Sequence, residues 1–165
     1  MTNRMDALAL IRTQHDEADA LFTALHDATG PERRRAHLTE LMIVMIAHMQ
    51  IEERLLYPAV FTDELEAKLR EATEEHLSIK RLLADLDAMP PDDPQFEAKV
   101  KVAMEQVEHH ARVEEEAELF PKIRARVSQG QLDALGVEML RSYETLIGAG
   151  SPHVRAGELR SAAPL

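Results

Sequence analysis

Apolar residues recur at intervals of three and four along most of the chain, the period of an α-helix that buries one face. In the first segment Leu8, Ile11, His15, Ala18, Phe22 and Leu25 form such a stripe. It predicts a helix from Asn3 to about Ala28, with Thr2 or Asn3 as N-cap. Thr29-Gly30-Pro31 ends it and seats a proline in the first turn of the next helix. That second helix is expected over Glu32 to Tyr57, with Leu41, Val44, Met45, His48, Ile51, Glu52 and Leu55 inward, stopping before Pro58. Thr62-Asp63-Glu64 reads as a new start, opening a helical segment that reaches Ala88 with a break around Lys68 to Ala72. Met89-Pro90-Pro91-Asp92-Asp93-Pro94 is a loop. A long helix over Gln95 to about Val127 and a shorter accessory one over Ser128 to Ile147 complete the set. The pattern predicts an all-α fold, an up-down-up-down four-helix bundle over residues 1–147. Residues 148–165, with three glycines and two prolines, read as a loose tail.

Composition narrows the chemistry. The 165 residues suffice for one domain with a substantial core. Aromatic residues are only 4% and Trp is absent, so the apolar positions fall to helix-forming Leu, Ala and Met. A net charge of −11 argues against nucleic acid, whose phosphates demand clustered Lys and Arg, and against anionic lipid. Without cysteine there is no disulfide, zinc ribbon or thiol nucleophile, and any metal must sit on His, Asp or Glu. The longest apolar run, Leu41 to Ala47, cannot span a bilayer, and the start is unlike a secretory signal. A cytoplasmic location is expected.

The histidines disclose an internal repeat. His15 is followed by Leu21, Phe22 and Leu25, and His76 by Leu82, Leu83 and Leu86, at equal offsets. His48 lies 33 residues after His15, and His110 lies 34 after His76. Glu52-Glu53-x-x-Leu56-Tyr57-Pro58 closes the first half, and Glu115-Glu116-x-x-Leu119-Phe120-Pro121 the second. Antiparallel helices would return the four histidines to one level. Residues four apart share a helix face, so His48 and Glu52 point together while Glu53 is turned about 100° further. Four imidazoles and two carboxylates around one cavity suit iron or manganese. His26, His37, His109 and His153 are read as satisfied core polar groups, Met42, Met45 and Met49 as core filling, and Tyr57 and Phe120 as packing aromatics.

These residues resemble the hemerythrin-like HHE cation-binding family over roughly Ala7 to Arg126. The resemblance implies a four-helix bundle with two iron ions, carboxylate-bridged. It would place ligands at His15, at His48 with Glu52, at His76, and at His110 with Glu114 or Glu115. Helical facing favours Glu114, whereas alignment of the Leu-aromatic-Pro endings favours Glu115. Oxygen-carrying hemerythrins have a second histidine one turn along the third helix, where this chain has Lys80. That residue should start near the cavity, its stem reaching to the bundle end. The resemblance implies a small diatomic or peroxide ligand (O₂, NO or H₂O₂) and roles in sensing, nitric oxide tolerance or peroxide decomposition. A ferritin-like di-iron oxidase or storage bundle would place a Glu three residues before its histidines, but Arg12, Met45, Thr73 and Val107 stand there. A metal-free helical interaction module is the third reading.

Overall fold

The structure, a computed structural model, describes residues 5–151 and 153–165. Thr2 and Asn3, proposed as caps, lie outside them. Helix α1 (Ala7–Asp27) begins where Asp6 accepts from the Ala9 N–H at 2.9 Å, so the cap falls later than the sequence suggested. Gly30, at φ 85°, turns the chain into α2 (Pro31–Ile51) with proline in its first turn.

Pro58 does not end this helix. A π-helical segment (Glu52–Leu56) follows α2 and leads into α3 (Tyr57–Val60). Proline offers no N–H and crowds the carbonyl four residues back, which would break a regular helix here. The wider π turn accommodates it, with the Tyr57 N–H bonded to the Glu52 carbonyl. The second half repeats the device. After α4 (Glu66–Ala88), which runs unbroken through Lys68 to Ala72, come α5 (Phe96–Glu108), a longer π segment (His109–Leu119) and α6 (Phe120–Arg124). There the Phe120 N–H bonds the Glu115 carbonyl, one residue before Pro121.

Helix α7 (Gln129–Ala149) starts at a capping box made by Ser128 and Gln131. It is no short accessory: its 21 residues equal α1 in length, and Leu132, Gly136 and Met139 are buried. Gly136 sits so close to the start of α1 that a Cβ there would meet the Met5 carbonyl oxygen at 2.7 Å. The remaining segment is also docked. Arg81 donates to the Leu159 carbonyl at 3.1 Å, Gln50 to Glu158 at 3.4 Å, and Leu165 packs on the core.

The described residues contain helices and no strand. Their core is two apolar clusters. One gathers Leu8, Ile11, Tyr57, Leu69, Phe120 and Met139; the other gathers Phe22, Met42, Met45, Met49, Leu83 and Phe96. His15 on α1, His48 on α2, His76 on α4 and His110 just after α5 stand where the two meet. Among the described residues no helix is long and apolar enough to cross a membrane.

Candidate metal centre

The layer between the clusters is polar and sealed. His15, His48, Glu52, His76, His110 and Glu115 are each at most 4% exposed. Their Nε2 and carboxylate atoms form two groups, His15–His48–Glu52–Glu115 and Glu52–His76–His110. Glu52 belongs to both: its Oε2 lies 3.2 Å from His48 Nε2 and 3.2 Å from His76 Nε2. Glu115 Oε2 lies 3.2 Å from His15 Nε2 and 3.7 Å from His110 Nε2.

Of the two acidic residues left open by the sequence, Glu115 is the one brought to the histidines. An α-helical turn would rotate it about 140° away from His110, and the π segment takes up that excess. Glu114 points outward, where Lys68 bonds it at 2.6 Å.

Each imidazole also has a partner on its outer nitrogen. His15 Nδ1 meets Glu116 at 2.7 Å, and His76 Nδ1 meets Glu53 at 3.0 Å. His48 Nδ1 meets Gln14 at 2.9 Å, and His110 Nδ1 meets Glu75 at 2.6 Å. The repeat therefore extends beyond the inner residues: the residue after each inner glutamate holds one histidine, and the residue before the first histidine of each half holds the other. Such partners fix ring orientation and leave Nε2 aimed at the cavity. Lys80 is neither a cavity group nor a solvent group. Buried at 4% exposure, it donates to both Glu53 oxygens at 2.7 and 2.8 Å.

Tyr57 is more than packing. Its hydroxyl donates to Glu115 Oε1 at 2.8 Å and lies 3.4 Å from His76 Nε2. Burial, with Glu115 and Glu52 beside it, pushes the phenol well above its ordinary pKa, so it holds its proton. Its repeat counterpart Phe120 has no hydroxyl and stacks on His15. That Tyr-for-Phe difference was the available signal, and the shared Leu-aromatic-Pro pattern concealed it. His26, His109 and His153 are exposed and His37 half-buried, so none is the core polar group the sequence suggested. Met42, Met45 and Met49 are buried as expected.

The electrostatics of this layer are those of a cation site. Burial and the neighbouring Glu115 push the Glu52 carboxyl far above its usual range. Burial also raises Glu115, but His110 and His15 outweigh it and hold that carboxyl low. His48 and His76 are lowered, by burial first and then by His15 and His110 respectively, toward the neutral form that ligates metals. His15 Nε2, both Glu52 oxygens and Glu115 Oε2 are buried without a hydrogen-bond partner. Each such atom costs about 1–3 kcal/mol if nothing meets it. The orphans converge on one cavity, so the residues fit cations held between them.

Comparisons with known proteins agree with this geometry. The family model for the hemerythrin HHE cation binding domain matches residues 6–123. A crystal structure of a hemerythrin HHE cation binding domain-containing protein from Mycobacterium kansasii superposes with a TM-score of 0.78 at 26% identity, covering 87% of this chain and 88% of that one. An uncharacterized protein of Mycobacterium tuberculosis is 26% identical over 146 residues, 88% of this chain and 89% of its own length. A Nostoc protein named DNA nickase is 31% identical over 134 residues, 81% of this chain; the match spans 38% of that relative's length. With its matched span and its paired His–Glu layer, the chain belongs to the hemerythrin HHE cation-binding domain family.

Proposed function

We propose that this chain is a cytoplasmic non-heme di-iron protein that binds or reacts with a small ligand, O₂, NO or H₂O₂, in sensing or stress response. Glu52 carries the reading: a single carboxylate reaches both histidine groups at 3.2 Å, the placement a bridging ligand needs. The proposed ligands are His15, His48, Glu52, His76, His110 and Glu115. Imidazole and carboxylate together suit iron, and the shared carboxylates suit a pair of ions over one. Short connections and the return of all four histidines to one layer support an up-down-up-down order for α1, α2–α3, α4 and α5–α6.

When bound, the iron pair would supply an open position for a small ligand and a redox change shared over two ions. The chain's own residues do the rest. Two apolar clusters keep the layer dry, the outer partners hold the imidazoles still, and Tyr57 donates its hydroxyl proton to Glu115 Oε1 at 2.8 Å. The nickase name of the Nostoc relative is not carried over, because a net charge of −11 works against binding a polyanion.

An anaerobic iron titration followed by optical spectra, then exposure to O₂, NO and peroxide, tests this reading. Saturation at two iron ions per chain and a spectral change with at least one of O₂, NO and peroxide is expected. Saturation without any such change would overturn the small-ligand role.

A further inference from the structure

The second π segment has an outer face as well as an inner one. The five-residue spacing that joins His110 to Glu115 inside joins His109 to Glu114 outside. His109 Nε2 lies 3.4 Å from Glu114 Oε1, and 3.9 Å from Oε1 of Glu75 on α4. The three residues can each offer one ligand atom to a common point. Bonds of about 2.1 Å in a tetrahedral zinc site put neighbouring ligand atoms about 3.4 Å apart, which is the His109–Glu114 separation. The first half of the repeat has no such triad, since Ala47 and Ile51 occupy the positions matching His109 and Glu114.

We propose that Glu75, His109 and Glu114 form an outer divalent-cation site with a zinc-like His–Glu₂ donor set. It is open where the inner layer is sealed: His109 is 56% exposed, and with Glu75 it lines a surface groove of about 460 Å³. Three protein donors leave a fourth position to water or a ligand in the groove. Lys68 bonds Glu114 through Oε2, which steadies the side chain and leaves Oε1 toward His109. Glu75 ties this site to the inner layer, because its Oε2 holds His110 Nδ1 at 2.6 Å while its Oε1 faces His109.

The test is metal analysis of iron-loaded protein dialysed against zinc, with iron and zinc counted in each sample. One zinc per chain above the iron content is expected, with no iron displaced. His109→Ala and Glu114→Gln should each weaken that zinc by at least about tenfold, since losing even an outer-sphere contact costs that much. Glu108→Gln, an exposed change on the adjacent residue, should leave it unaltered. Absence of the extra zinc overturns the proposal, as does zinc that survives both site variants or falls equally in Glu108→Gln. The comparison between wild type and His109→Ala holds whatever the inner layer binds, so failure here is distinct from failure of the di-iron reading.

Discussion

Replacing Lys80 by Met isolates a buried lysine–carboxylate pair. The Lys80 and Glu53 side chains are 6% and 7% exposed, with Nζ 2.7 Å from the carboxylate. At that distance and an effective dielectric of about 20, the attraction is about 6 kcal/mol before desolvation is subtracted. Glu53 also has no easy route to neutrality. Burial raises its carboxyl, but the bonds from His76 and Lys80 outweigh this and hold it below the usual range. Lys80→Met therefore strands a buried carboxylate, and such losses run to about 3–5 kcal/mol. Removing both charges, in Lys80→Met with Glu53→Gln, should return most of that stability. Urea unfolding of the metal-free variants gives the cycle, with a coupling energy of at least about 2 kcal/mol expected. Glu53 also orients His76, so iron affinity should fall about 10–100-fold in Lys80→Met. A single variant within about 0.5 kcal/mol of wild type, with additive effects around the cycle, would refute the reasoning.

Gly136→Ala should destabilise although alanine is the better helix former by about 1 kcal/mol. Three backbone atoms of residues 5–7 lie at 2.7–2.8 Å from the new Cβ, and overpacking of that kind costs about 1–3 kcal/mol. Gly130→Ala, with open space around it, should instead stabilise in the same thermal melts. Asp6→Ala should cost about 1–2 kcal/mol at neutral pH through the lost cap. Burial raises the Asp6 carboxyl, but bonds from Gln129, the Ala9 N–H and Arg124 outweigh it and leave the folded value low. Its contribution is therefore full above the unfolded value of about 3.9 and fades as pH falls through the folded one, so variant and wild-type stabilities should converge in acid. Tyr57→Phe should retain two iron ions while lowering metal-free stability by about 1–3 kcal/mol, because Glu115 Oε1 loses its donor.

The helices and the inner histidines were legible because both rest on periodicity. His15, His48, His76 and His110 occupy stripe positions, and burial at a stripe position needs little tertiary information. What escaped the sequence came from departures from that period. Pro58 reads as a helix end because π turns, such as the one that accommodates it, leave no pattern in the apolar residues. The same turns decide between Glu114 and Glu115, which a fixed 100° per residue cannot do. Lys80 is expected from its helix face to start at the cavity and reach the bundle end, but its position depends on Glu53 reaching outward from another helix. The close packing of α7 has no signal in periodicity either, because it rests on Gly136 leaving room for the backbone of residues 5–7 at the start of α1.

The central claim is that one carboxylate, Glu52, serves both halves of a two-ion centre. Iron analysis of Glu52→Ala beside Glu114→Gln tests it most directly, after anaerobic loading and removal of loose metal. Wild type and Glu114→Gln should each retain two iron ions per chain, and Glu52→Ala should lose both together. Two ions retained in Glu52→Ala, or a wild-type count near one, would contradict the account.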